Sequence, residues 1–289
     1  MSNKDLLVNI KKLREMTGVG FKDCKVALDE TNGNIEKSIE FLRKKGIAKA
    51  SKKMSRTASE GLALIKEKSG QISIIEINSE TDFVAKNQDF INFCKELSEI
   101  NFIVKGSLEK LNDHKMAGGN LVKDNLVNFI AKIGEKITLR RCEFFDSEKY
   151  INFSYVHSPV KKNLGKIGVL LSLKTSIKKE KLLDFGKYMA MHIAASSPLS
   201  IDKGDLDNIV LQKEKEIITE ELKNSGKDIN IIDKIATGKL NKFISDNTLL
   251  NQEWIMEPKK KVKDIIKEIS GNDKIEIKNF IRFKVGEGV

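Results

Sequence analysis

Cysteine is scarce and scattered: Cys24, Cys94 and Cys142 are the only three in 289 residues. No two share a C-x-x-C spacing, which excludes a zinc ribbon or a thioredoxin-type centre. Each sits in an apolar pattern and reads as a small buried hydrophobe. Histidine is as sparse. His114, His157 and His192 fall in separate elements, and no pair stands four residues apart around a glutamate, so a zincin site is excluded. There is no G-x-x-x-x-G-K-S/T loop and no G-x-S-x-G elbow. Gly18-Val19-Gly20 has no strand before it and no third glycine at the right offset, so it is not a dinucleotide fingerprint. Aromatics are 6%, and no RNP- or KH-type signature appears. No apolar run approaches the roughly 20 residues of a spanning helix. The first five residues lack an apolar signal region, and Asp5 and Glu15 argue against a transit peptide. The expectation is a cytoplasmic protein without metal or cofactor, a binding protein rather than an enzyme with covalent chemistry of its own.

What is present is charge and periodicity. Apolar residues are 40% and charged residues 32%, the composition of a soluble globular chain. At about 100–200 residues per domain the length suggests two or three domains. The net charge is +11, which favours an anionic partner, either nucleic acid or an acidic protein. Residues 43–56 hold seven basic side chains and no acidic one. They read as a linker or solvated helix, or as an RNA contact lacking aromatic stacking partners.

Residues 4–46 read as three short helices. Leu6, Ile10, Leu13 and Thr17 share a face with Leu7 beside them; a second helix runs from Phe21 to Thr31 with Cys24, Ala27 and Leu28 inward. Asn34 caps a third helix through Ile35, Ile39 and Leu42. From Glu60 the period becomes that of strands: Leu62 and Leu64, a turn at Ser69-Gly70, then Ile72, Ile74, Ile75 and Ile77. Asn87 caps a helix carrying Phe90, Phe93, Cys94, Leu97 and Ile100. Another helix covers Leu121 to Ile133, and a strand follows through Ile137, Leu139 and Cys142. The order then recurs: strands at Ile151–Tyr155 and from Gly165, with a turn region between them, then a helix with Leu182, Phe185, Met189 and Ile193 ended by Ser197-Pro198. Two hairpin-then-helix units imply an internal duplication. His192, within that helix, reads as a satisfied structural histidine. Residues 205–247 read as an antiparallel helical hairpin, with Leu206, Ile209, Val210, Ile217 and Leu222 on one stripe, a turn at Asn224–Lys227, and a polar outer face. A helix from Val262 and a strand from Ile275 close the chain.

One segment stands out: Glu80-Thr81-Asp82-Phe83-Val84-Ala85-Lys86-Asn87, between an apolar strand and a helix. Two readings are open. Phe83 packs under the sheet while Asp82 caps a short turn, or Phe83 stands exposed on a connection for a partner to bury.

Residues 81–87 (TDFVAKN) resemble the signature of the elongation factor Ts family, the guanine nucleotide exchange factors of elongation factor Tu. So do residues 13–28 (LREMTGVGFKDCKVAL), Ala131-Lys132-Ile133-Gly134-Glu135, Met191–Ala195, Met256-Glu257-Pro258 and Arg282–Gly288, in the same order along essentially the whole chain. The resemblance implies an α+β fold of five segments: a three-helix, ubiquitin-associated-like domain at 1–50 that binds the GTPase; a core subdomain at 51–150; the first part of a duplicated, antiparallel-sheet subdomain at 151–204; an inserted helical hairpin at 205–247; and the closing part, with a shortened C-terminus, at 248–289. It implies that Asp82 and Phe83, between Thr81 and Val84, are inserted between two helices of the GTPase near its Mg²⁺ site. Arg14 and the Val19-Gly20-Phe21 corner match an N-terminal contact with the GTPase, and His157 matches a contact near its phosphate-binding loop. Other members often carry methionine at the positions of Phe21 and Lys22, and residues 158–164 make a longer connection than the family leads one to expect. Longer members continue beyond the Gly286-Glu287-Gly288 segment into a helix that also touches the GTPase. A chain stopping at Val289 is expected to have a smaller interface and weaker binding, with exchange retained. The implied partner is elongation factor Tu, with no direct nucleic-acid or membrane contact and no cofactor; a homodimer and a dimer of factor–GTPase pairs both stay open.

Overall fold

The computed structural model describes residues 3–17, 19–223 and 229–289. Gly18 and the turn expected at Asn224–Lys227 lie outside the described residues.

Three helices come first: α1 (Asn3–Thr17), α2 (Phe21–Glu30) and α3 (Ile35–Ser51). Their apolar stripes meet in a small core of Ile10, Leu13, Cys24, Ala27, Leu28 and Leu42. Asn34 caps α3 by accepting the Lys37 N–H at 2.9 Å. Leu7 points away from this core and is exposed.

The basic run 43–56 is the last part of α3 and the turn after it. Six of its seven cations have partners within the chain. Arg43 pairs with Asp124, Lys44 with Glu40, Lys45 and Lys49 with Asp23, and Arg56 with Glu80, while Lys53 donates to the carbonyl of Gly134.

One antiparallel sheet of six strands carries the rest: β1 (Glu60–Lys68), β2 (Gln71–Ser79), β3 (Thr138–Phe145), β4 (Ile151–Lys161), β5 (Leu164–Thr175) and β8 (Ile275–Lys284). The order is β3-β2-β1-β5-β4, with β8 also pairing β5. A two-residue turn with left-handed Ser69 and Gly70 closes the β1–β2 hairpin. The two halves of the sheet join where Ala63 and Leu64 face Gly165 and Leu164. Each half repeats one order: a hairpin, helices, and a strand returning to the hairpin's second strand.

In the first half the helices are α4 (Asp82–Lys86), α5 (Gln88–Ile103), α6 (Leu108–Asp113) and α7 (Val122–Ile133). Phe90, Cys94, Leu97 and Ile130 bury against Leu62, Ile75 and Ile77. In the second half α8 (Leu183–Ser196), the hairpin α9 (Asn208–Lys223) and α10 (Ile229–Asn247), the β6–β7 ribbon (Glu253–Trp254, Glu257–Lys261) and α11 (Val262–Ser270) intervene before β8. Phe185, Met189 and Ile193 of α8 pack on Val169, Leu171 and Ile277. A further cluster, Ile65, Ile72, Ile74, Leu170 and Phe283, draws on strands of both halves. β2 is therefore apolar on both faces, which is why its sequence reads as a nearly continuous isoleucine run.

Two expectations are corrected. β4 does not end at Tyr155: it runs to Lys161, so residues 158–161 extend a hairpin rather than form a long loop. Pro159 is tolerated because β4 is an edge strand. In α9 the inward stripe runs through Ile218 and Leu222, whereas Ile209 and Ile217 are exposed on a face expected to be polar. Of two adjacent isoleucines, the packing of α10 selects the second. His192 is fully buried, with Nε2 2.9 Å from Gln252 Oε1 and Nδ1 accepting the Ile255 N–H at 3.4 Å. All three cysteines are buried thiols.

Candidate functional site

The segment 80–87 folds as a single turn of helix between β2 and α5. Thr81, in extended backbone conformation, is the N-cap of α4, its hydroxyl accepting the Val84 N–H at 3.5 Å. Asn87 ends α4 and caps α5, accepting the Asp89 N–H at 2.8 Å and the Phe90 N–H at 3.3 Å. Between these caps the side chains divide. Val84 and Ala85 enter the core of the first half. Phe83 points the other way and is 79% exposed, more than any other large hydrophobic residue among those described. Of the two readings open for Phe83, the structure gives the exposed one.

Asp82 sits in the first turn, and its Oδ2 accepts a bond from Lys86 Nζ at 2.6 Å. That bond holds the Asp82 carboxyl below its ordinary range and raises the Lys86 ammonium. The pair is solvent-exposed, so it aligns the carboxylate beside Phe83 rather than stabilising the fold.

The turn is held from outside by the loop between α7 and β3. The Glu135 carboxylate accepts the Thr81 N–H at 3.0 Å and the Thr81 hydroxyl at 2.7 Å. Gly134, left-handed at φ 85°, ends α7 and turns the chain so that Glu135 can reach. Ser79 Oγ donates to the Thr81 carbonyl at 3.0 Å. No local pattern marks Glu135 as a partner of Thr81, since 54 residues separate them.

The other expected residues lie on two further elements. Arg14, on the last turn of α1, and Gly20 are exposed; Val19 is half-buried against the three-helix core, and Phe21, the first residue of α2, is 47% exposed. Met16, also on the last turn of α1, is exposed as well. His157 lies on the edge strand β4, opposite Ile167, with Nδ1 3.2 Å from the Tyr155 hydroxyl. The structure thus brings Thr81, Asp82, Phe83 and Val84 into one turn, and Arg14, Val19, Gly20 and Phe21 into one corner. His157 belongs to neither group. Its hairpin does reach toward the turn, for Lys161 Nζ donates to Gln88 Oε1 at 2.8 Å.

Among the described residues, no cluster of His, Cys, Asp and Glu could hold a metal ion, and no helix is long and apolar enough to cross a membrane. The exposed ring on a braced turn can act by contact: it offers apolar area and a carboxylate to another macromolecule.

The model of the family described as elongation factor TS matches residues 80–287. Curated relatives named elongation factor Ts cover nearly the whole chain. The protein of Rickettsia felis is 43% identical over 283 residues, 97% of this chain and 91% of its own. That of Rickettsia rickettsii is 44% identical over 285 residues, 98% and 92% of the two chains. That of Maricaulis maris is 38% identical over 286 residues, 97% and 91%.

Proposed function

This chain belongs to the elongation factor Ts family, and from that membership we propose that it binds elongation factor Tu carrying GDP and speeds GDP release by inserting Phe83 and Asp82 beside the nucleotide's Mg²⁺ site. The family places it in translation elongation as a nucleotide exchange factor, not as a catalyst of covalent chemistry. The observation that carries the finer reading is the 79% exposure of Phe83 on a turn capped at both ends.

The physics is a coupling between two ligands of one GTPase. The factor and the nucleotide each weaken the other's binding by the same factor. GDP is held through its phosphates by Mg²⁺ and by backbone amides, so displacing the helices that carry those groups loosens it. Burying a phenylalanine ring supplies about 1.5–3 kcal/mol toward that displacement. Asp82, already charged and aligned by Lys86, engages polar groups at the rim of the same slot. The α1–α2 corner, with Arg14, Val19, Gly20 and Phe21, makes a second contact with the GTPase, and His157 on β4 a third. Three separate contacts on one rigid body fix the wedge in register. The protein acts in the cytosol, on a GTPase whose acidic surface its net charge of +11 steers toward it.

The competing reading, an RNA contact by residues 43–56, loses support from the ion pairs and the carbonyl bond that engage six of those seven cations. Release of fluorescent GDP from elongation factor Tu, followed with increasing amounts of this chain, tests the proposal. A rate that rises and saturates supports it; a rate equal to spontaneous release at every concentration overturns it.

A further inference from the structure

Two carboxylates at the base of the turn make reciprocal bonds. Glu135 accepts the N–H of Thr81, while Glu80, the residue before Thr81, accepts the N–H of Lys136, the residue after Glu135, at 2.6 Å. Each loop therefore holds the other's backbone. The Glu135 carboxylate also takes the Thr81 hydroxyl, so both of its oxygens are engaged by one residue. Arg56 closes the outer side, with Nη1 3.1 Å from Glu80 Oε2 and its carbonyl accepting Lys136 Nζ at 2.8 Å. Lys53 holds the carbonyl of Gly134. Part of the basic run noted in the sequence thus ends on the two loops that meet beneath Phe83.

We infer that Glu135 is a positioning residue for exchange: by fixing both the backbone and the side chain of Thr81, it sets the direction in which Asp82 and Phe83 leave the surface. This rests on the wedge reading proposed above. Thr81 is the N-cap of α4, and Phe83 follows two residues later, so a rotation at Thr81 is carried directly to the ring. A five-residue helix has too few internal bonds to hold its own orientation. Thr81 and Glu135 are only half-buried, so water can replace the bonds if they are lost. The clamp therefore contributes direction more than stability, which separates a positioning role from a structural one.

Stopped-flow release of fluorescent GDP from elongation factor Tu, using the full chain, tests this with Glu135→Ala, Glu135→Gln, Phe83→Ala and the Glu135→Ala/Phe83→Ala double variant. Glu135→Ala is expected to lower the maximal rate at saturating factor about tenfold, since a displacement near 1 Å is enough to cost that much. The concentration for half-maximal acceleration and the melting temperature should move little. Glu135→Gln, which can still bond both groups of Thr81, should recover most of the rate. The double variant should be no slower than Phe83→Ala alone. In the free protein, hydrogen exchange at the Thr81 amide should quicken in Glu135→Ala. If that variant melts early, Thr81→Val removes the hydroxyl end of the clamp and should show the same loss of maximal rate. A wild-type maximal rate in Glu135→Ala beside a slow Phe83→Ala overturns the inference and spares the wedge. A double variant slower than Phe83→Ala by the full Glu135→Ala factor shows that Glu135 acts elsewhere. A fast Phe83→Ala overturns the wedge reading, and the inference with it.

Discussion

The carboxylate of Glu76 accepts the N–H of Gly286 at 2.9 Å, across 210 residues of sequence. Glu76 lies on β2 and is fully buried, and the same carboxylate takes Arg140 Nη1 at 2.9 Å and Arg141 Nε at 2.6 Å. Arg141 also stacks over Phe283, 4.3 Å from the ring centroid, and donates to the Lys284 carbonyl at 3.2 Å. The last residues of the chain are thus fastened to the first half of the sheet, on the opposite face of β2 from the core that carries α4.

Glu76→Gln should lower stability by about 2–4 kcal/mol, because two partly exposed arginines and a backbone N–H lose a shared charged acceptor. The urea midpoint reads this. Burial pushes the Glu76 carboxyl up, but the Gly286 N–H, Arg141 and Arg140 together bring it below its ordinary value. Its folded pKa is therefore below the unfolded one. The stabilisation is present above about pH 4.3 and is lost as pH falls through the folded value. The wild-type midpoint should fall more steeply than that of Glu76→Gln across that window, and the two curves should converge below it.

Gly286 adopts φ 78°, and a methyl group there would collide with the Ser59 carbonyl. Gly286→Ala should cost at least about 2 kcal/mol, combining strain with a displaced C-terminal segment. Gly238, exposed within α10 where an added methyl group would meet no other part of the chain within 4 Å, is the contrasting site. Gly238→Ala should raise stability by about 0.5–1 kcal/mol. Thermal denaturation of the two variants should move in opposite directions.

The three thiols should be inert in the folded protein. Burial raises all three: Cys24, Cys94 well above its ordinary value, and Cys142 to about 11. At pH 8 they should react with Ellman's reagent only at the rate of unfolding, and three equivalents should appear at once in denaturant.

The α9–α10 hairpin is anchored at its base, where the Leu199 N–H donates to the Asn247 carbonyl at 2.8 Å and the Leu249 N–H to the Ser200 carbonyl at 2.9 Å. Replacing residues 214–236 with a short Gly-Ser turn should leave this base and the exchange rate largely intact. A loss of GDP-release activity in a variant that still folds would place a main GTPase contact on the hairpin.

Much of this was legible in residue order. The caps Asn34 and Asn87, the Ser69-Gly70 turn and the three buried cysteines follow from local chemistry, and the structure holds them where local rules put them. The extension of β4 through Pro159 was not legible, because whether a strand lies at an edge is settled by its neighbours. Helices α4 and α6 are too short to show a period. Ile217 and Ile218 fit either stripe of α9 equally well until α10 chooses. At the candidate site the sequence marked residues 81–84 but left the exposure of Phe83 open. It named Glu135 only within a family-like segment and could not show its bond to Thr81, 54 residues away. Apart from those two short helices, each gap turns on a contact with another element, which no periodicity encodes.

GDP release from elongation factor Tu, followed with Phe83→Ala beside the wild-type chain, isolates the role of the exposed ring. Phe83 is 79% exposed, so the substitution should leave the melting temperature unchanged and any loss of rate belongs to the partner contact. Wild type should accelerate release, and the acceleration should fall more than about tenfold in Phe83→Ala, the scale of one buried aromatic ring. Equal acceleration by both proteins would contradict it and move the work of exchange to His157 and the Val19-Gly20-Phe21 corner.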